Sequence, residues 1–96
     1  MRESALQTRI LEYLKGYGCY CVNVHGSSYG SKGTPDILVC YNGKFIAIET
    51  KVGKNVTSTA QQIHHERIKK AGGAVIVPYT FNEFLELFVK AVQDGS

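Results

Sequence analysis

Gly33-Thr34-Pro35-Asp36-Ile37-Leu38-Val39-Cys40-Tyr41-Asn42-Gly43-Lys44-Phe45-Ile46-Ala47-Ile48-Glu49-Thr50-Lys51 is the stretch that decides how this chain folds. Asn42-Gly43 stands between two apolar runs. Asn and Gly tolerate the positive φ values of a two-residue type I′ turn, whose twist matches that of the strands it joins. Asp36 to Tyr41 and Lys44 to Lys51 are therefore expected as an antiparallel hairpin. Such a turn pairs Tyr41 with Lys44, and counting back along both strands sets Asp36 opposite about Glu49. Residues i and i+2 of a strand share a face, so Lys51 projects beside Glu49. Ile37-Leu38-Val39 and Phe45-Ile46-Ala47-Ile48 are nearly unbroken apolar runs, the mark of strands covered on both faces. Charge at the end of such a strand is costly and asks for a reason.

Two carboxylates brought together repel and raise the pKa of one of them. A divalent cation between them removes that penalty. Oxygen ligands suit Mg²⁺ or Mn²⁺, which keep waters of their own. A cation there polarises a phosphoryl oxygen and acidifies a bound water. An ammonium beside it, that of Lys51, stabilises the charge that builds as a phosphodiester is attacked. The plainer reading is that Pro-Asp is a turn dipeptide and Glu-x-Lys a solvated strand edge. The apolar flanks argue against it.

Working outward, Leu6, Ile10, Leu11 and Leu14 have helical spacing, which predicts a helix over 4–16. Ser4-Ala5-Leu6-Gln7 fits a capping box at its start, and Gly16 and Gly18 end it. Cys19 to Val24 reads as a strand, and His25 to Thr34, with three Gly and three Ser, as a loop. After the hairpin, 52–59 is a loop and Thr59 to Ala71 a helix closed by Gly72-Gly73. Ala74 to Val77 is a short strand ending at Pro78. Thr80-Phe81-Asn82-Glu83 is a capping box that opens a last helix to about Val92. The order is αβββαβα, an α/β chain whose mixed sheet carries packed helices.

The 96 residues make one domain, 1–96, with 44% hydrophobic and 20% charged residues, which excludes wholesale disorder. The net charge of +3 permits an anionic partner without demanding one. No signal peptide and no membrane span is read, and Cys19, Cys21 and Cys40 are an odd set without an export signal, which reads as reduced thiols in a cytoplasm. Cys19 and Cys21 share a face of their strand and read as buried packing rather than zinc ligands.

The combination resembles a known family. Gly33-x-Pro35-Asp36, then Glu49-x-Lys51, then a Gln-bearing helix ending in Ala71-Gly72-Gly73, is similar to the virus-type replication-repair nuclease (VRR-NUC) branch of the PD-(D/E)XK superfamily. The resemblance runs from Glu3-Ser4 to the last helix. It implies a restriction-endonuclease-like core and a Mg²⁺- or Mn²⁺-dependent nuclease. Asp36 and Glu49 match the metal carboxylates, the backbone carbonyl of Thr50 a further metal ligand, and Lys51 the catalytic lysine. Glu3 matches the acidic residue that the first helix brings to the site. Gln61 is the better match for the helix glutamine, with Gln62 one step away. Ser58-Thr59 stands where members usually carry a Pro, which leaves the helix start open by one residue.

Other signals are set aside. His64-His65-Glu66 would need a His at Lys69 to make H-E-x-x-H, and the two histidines are expected on an exposed or DNA-facing side. The loop from Gly26 to Gly33 has P-loop composition but lacks a contiguous Gly-Lys-Ser/Thr. Its Ser, Tyr and Lys side chains are candidates for phosphate contact. Lys32 and Lys54 flank the site in sequence and are expected at phosphates, whereas Lys69 and Lys70 read as solvated charge. Phe81, Phe84, Leu85, Leu87, Phe88, Val89 and Val92 of the last helix are mostly core, yet wide enough to leave an apolar strip for self-association.

The resulting expectation is a structure-selective DNA endonuclease of replication or repair. It would act on branched DNA such as four-way (Holliday) junctions, as a homodimer, in the cytoplasm, or in a bacterial host's if viral. The alternatives are a restriction-type endonuclease and a catalytically silent nucleic-acid-binding module.

Overall fold

The computed structural model describes residues 2–24 and 32–93. The elements are α1 (Glu3–Gly16), β1 (Tyr20–Asn23), β2 (Ile37–Tyr41), β3 (Lys44–Ile48), α2 (Thr59–Lys70), β4 (Ala74–Ile76) and α3 (Phe81–Gln93), in the expected αβββαβα order. The loop side chains expected at phosphates, apart from Lys32, lie outside the described residues.

The strands form one mixed sheet in the order β1-β2-β3-β4, with the first two pairings antiparallel and β3–β4 parallel. Asn42 at φ 53° and Gly43 at φ 79° make the tight turn, and Tyr41 pairs with Lys44 as counted. Pairing runs on to Ile37 opposite Ile48, so the next step sets Asp36 beside Glu49. The returning strand ends earlier than expected, at Ile48. Beyond it the backbone N–H groups of Glu49 and Lys51 donate to the carbonyls of Ile76 (3.0 Å) and Pro78 (3.2 Å), which keeps the chain extended through the charged residues.

Alternation assigns the two faces of the sheet. Ile37, Val39, Ile46, Ile48 and Ile76 point into the core, where they meet Leu6, Ile10 and Leu14 of α1 and Phe84, Phe88 and Ala91 of α3. Ala47 points the other way and is nonetheless fully buried. Phe45, two residues back on that same face, is more exposed and shares a cavity wall with Arg67 and Ile68 of α2. Helices thus cover both faces of β3, as its apolar run requires. Cys19 and Cys21 are half-buried against the core, while Cys40 is exposed.

Three local expectations are corrected. Ser4 does not cap α1: the helix starts at Glu3 with Arg2 as the flanking residue and no side-chain cap. Gln7, read as the other half of that box, turns inward instead. The apolar strip expected on α3 narrows to Val89, which is exposed, because Phe84 and Phe88 are fully buried and Phe81, Leu85, Leu87 and Val92 pack against the core. The more exposed apolar side chains are elsewhere, at Val56, Tyr20 and Ile63.

Gly33 seats the segment that leads into Asp36 against α2. Its φ is +87°, and a Cβ there would stand 2.5 Å from the backbone carbon of Ala60. Backbone in the first turn of a helix cannot give way as a flexible side chain would. Gly33→Ala is therefore expected to destabilise the protein by more than about 2 kcal/mol. For a domain of this size that lowers the melting temperature by roughly 8 °C or more. An unchanged thermal transition by circular dichroism would show that this segment does not rest on α2.

Candidate active site

The strand alternation that buries Ile37 and Ile48 turns Asp36, Glu49 and Lys51 to the α2 face and Thr50 to the α1 face. The site is therefore fed from both helical layers. Glu49 is 1% exposed and Thr50 0%, and Asp36 is buried too, while Lys51 is half-buried.

Asp36 is held by Thr50. Its Oδ2 accepts from the backbone N–H of Thr50 at 2.9 Å and from the Thr50 hydroxyl at 2.8 Å. The same hydroxyl accepts from Gln7 Nε2 at 2.9 Å, so α1 fixes the direction in which the hydroxyl donates. A Gln–Thr–Asp relay of this kind locks a buried carboxylate in one rotamer.

Glu49 is held from α2. Gln61 Nε2 donates to its Oε2 at 3.1 Å, and His65 Nε2 lies 3.3 Å from its Oε1. The helix start that the sequence leaves open is at Ser58. Its side chain accepts from the Gln61 backbone N–H, and Gln61 Oε1 accepts in return from the Ser58 N–H at 2.8 Å. Gln61 is thus at once a cap and a partner of Glu49, while Gln62 turns away to Thr57.

The electrostatics follow from this burial. The Glu49 carboxyl is pushed up to about 8, by desolvation first, then by the charge of Asp36 and a hydrogen bond between the two carboxyl groups. Lys51 pulls the other way, and Glu3 adds a smaller push upward, which places both within electrostatic reach of Glu49. Burial lowers the His65 pKa, with Lys69, His64 and Lys51 adding to the effect. At pH 7 both partners are therefore neutral. The short His65–Glu49 contact is then a neutral hydrogen bond rather than an ion pair.

Asp36, Glu49, Thr50, Lys51 and Gln61 come together, with Glu3 near enough for its charge to be felt. Lys32 and Lys54 are exposed. His65, expected on an exposed or DNA-facing side, is instead 6% exposed and buried against Glu49. Gln7, His65 and the Thr50 hydroxyl were not anticipated. A cavity of about 400 Å³ lined by Phe45, His64, Arg67, Ile68, Ala71 and Gly73 lies toward the far end of α2 and takes in none of the carboxylates.

The donor set fits a hard divalent cation. Two carboxyl groups share a confined site in which one retains its proton at neutral pH, and a cation bound there would take the place of that proton. Among the described residues no three His, Cys, Asp or Glu side chains gather into a cage of their own. Two carboxylates with a backbone carbonyl and waters suit Mg²⁺ or Mn²⁺ rather than zinc.

Compared by sequence, the chain matches no protein-family profile and no curated relative. Compared by structure, it is similar to a solved chain described as a VRR_NUC domain. That likeness has a TM-score of 0.76 at 27% identity and covers 90% of this chain and 92% of the other. It is also similar to Hjc, a Holliday junction resolvase of the archaeal hyperthermophile Archaeoglobus fulgidus. Here the TM-score is 0.60 at 20% identity, over 80% of this chain and 67% of the other, a likeness of fold. The chain carries the PD-(D/E)XK fold in its VRR-NUC form.

Proposed function

We propose that the protein is a Mg²⁺- or Mn²⁺-dependent endonuclease that hydrolyses phosphodiester bonds in branched DNA. The observation that carries this reading is the pairing of the buried Asp36 and Glu49 carboxyls at the open end of the hairpin, with Lys51 beside them. Resemblance in fold to a Holliday junction resolvase supports branched DNA as the substrate class.

Asp36 and Glu49, with the Thr50 carbonyl, would hold the cation. Such a cation supplies charge neutralisation at the phosphate and acidifies water for attack. The chain's own groups do the rest. The Thr50 and Gln7 relay holds Asp36, and Gln61 holds Glu49, so neither carboxylate reorganises as charge builds. Lys51, whose backbone N–H donates to the Pro78 carbonyl, would bring its ammonium to the extra negative charge of the attacked phosphate. Lys32 and Lys54, exposed on either side in sequence, contact the DNA backbone.

One site cuts one strand. Symmetric resolution of a four-way junction takes two sites related by a two-fold axis, and a homodimer supplies them. Labelled duplex, flap, single-strand and four-way-junction DNAs are to be incubated with the protein in Mg²⁺, Mn²⁺ or EDTA. The expected outcome is cleavage with either cation, none in EDTA, and paired nicks in the junction ahead of plain duplex. Equal cleavage of junction and duplex would remove the structure selectivity, and a monomer in sedimentation without DNA would remove the preformed dimer. Binding without cleavage in any cation would leave a silent DNA-binding module.

A further inference from the structure

We infer that His65 is a positioning residue for Glu49, acting with Gln61 as a two-point clamp that fixes the plane of the metal-binding carboxylate. The inference rests on the metal-site reading above and adds to it a residue beyond Asp36, Glu49, Lys51 and Gln61.

Gln61 and His65 are four apart on α2, so they stand one above the other on one helix face. Each takes a different oxygen of the same carboxylate: Gln61 Nε2 on Oε2 at 3.1 Å, His65 Nε2 near Oε1 at 3.3 Å. A Glu side chain turns about three bonds, the last of them broad in its preference. One contact leaves rotation about the carboxylate axis; two contacts from one rigid helix remove it. The clamp is out of water, since Glu49 is 1% and His65 6% exposed. His65 is therefore not placed to meet DNA, and what it can act on is Glu49.

The chemistry of the pair fixes a further detail. An ionised carboxylate only accepts hydrogen bonds. With a cation in place His65 must donate through Nε2, so the ring adopts the Nε2–H tautomer. Partners of this kind hold ligands in the orientation a metal ion requires, and their removal typically weakens metal affinity about 10- to 100-fold.

The test uses three variants of the full chain. Gln carries its amide nitrogen as many bonds from the backbone as the His Nε2, so His65→Gln keeps the donor in place. His65→Asn carries its nitrogen one bond short, at the position of Nδ1. His65→Met fills similar apolar space with no donor. Mn²⁺ affinity is to be measured by calorimetry and thermal melting recorded in EDTA. The expected result is Mn²⁺ binding weakened about 10- to 100-fold in His65→Met and His65→Asn, and kept within about threefold of wild type in His65→Gln. His65→Met should still melt cooperatively in EDTA, because an apolar side chain suits a buried site.

If His65→Met binds Mn²⁺ as the wild type does, the clamp is refuted while the metal site stands. Equal weakening in all three variants, tracking lost melting temperature, also refutes it and leaves His65 as packing. If wild-type protein binds no Mn²⁺ and Glu49→Gln changes nothing in that titration, the metal-site reading fails and the clamp fails with it.

Discussion

Glu49→Gln is expected to abolish cleavage and, in metal-free buffer above neutral pH, to raise the melting temperature. Activity is lost because the amide carries no charge to hold a cation. Stability is gained because the native carboxyl is strained toward its neutral form. Folded Glu49 holds its proton to about pH 8, whereas the unfolded chain releases it near 4.5. Between those values the folded state binds more protons than the unfolded one, so stability falls as pH rises through the window. The whole displacement is worth on the order of 3–5 kcal/mol. For about a hundred residues that is more than 10 °C in melting temperature. Metal-free wild type should therefore melt lower at pH 8.5 than at pH 5, and the difference between wild type and Glu49→Gln should open across the same range. The amide keeps an acceptor for Gln61, and its NH₂ meets a neutral imidazole that accepts in its other tautomer. Mg²⁺ or Mn²⁺ at pH 8.5 should lift the wild type alone, by mass action. Asp36→Asn should abolish cleavage likewise, since its amide oxygen still accepts from Thr50 but the charge is gone. Full cleavage by either variant, or a difference in melting that does not change with pH, would sink the account of the carboxylate pair.

Lys51→Ala is the other large effect. Its rate of cleavage should fall roughly 10²-fold or more, as for other groups that stabilise charge developing in the transition state. Metal affinity should survive, because an ammonium is not a ligand. Removing it should also push the Glu49 carboxyl higher still, since Lys51 is the charge that draws it down. The pH at which metal-free stability is lost then moves upward, a shift visible in melting curves without any substrate. Calorimetry in which Mn²⁺ binding disappears together with cleavage would make Lys51 a structural element rather than a participant in the reaction.

The hairpin and its carboxylate pair are legible in the sequence because both follow from local rules. Asn42-Gly43 sets the register, and a period of two carries it to Asp36 and Glu49. The supports were harder to see because each hides behind a pattern with another meaning. Gln7 completes an apparent capping box with Ser4, yet it also lies three before Ile10 and seven before Leu14, on the stripe that enters the core. A polar residue on an apolar stripe was the available signal. His65 reads with His64 as half of a zinc motif. Once Gln61 is placed at the site, however, helical periodicity brings His65, four residues on, to the same side. The Thr50 hydroxyl gave no such signal, because nothing local distinguishes a Thr that braces a carboxylate from one that fills a strand. On α3 the number of apolar residues suggested an uncovered face. The small protein needs nearly all of them for one core, and Phe84 and Phe88 are wholly used there.

The turn at Asn42-Gly43 lies at the end of the hairpin remote from Asp36 and Glu49, with both of its residues exposed. This divides the hairpin into a part that tolerates added length and a part that does not. Extra residues spliced in between Asn42 and Gly43 lengthen a surface loop, at an entropic cost of about 0.6 kcal/mol per doubling. They leave every strand pair where it was, so the turn is a place to graft a fluorophore or an affinity handle. One extra residue between Phe45 and Ile48 reverses the faces of all that follows. Glu49 and Lys51 would then turn toward α1, Thr50 toward α2, and the chain would keep its composition while losing its chemistry.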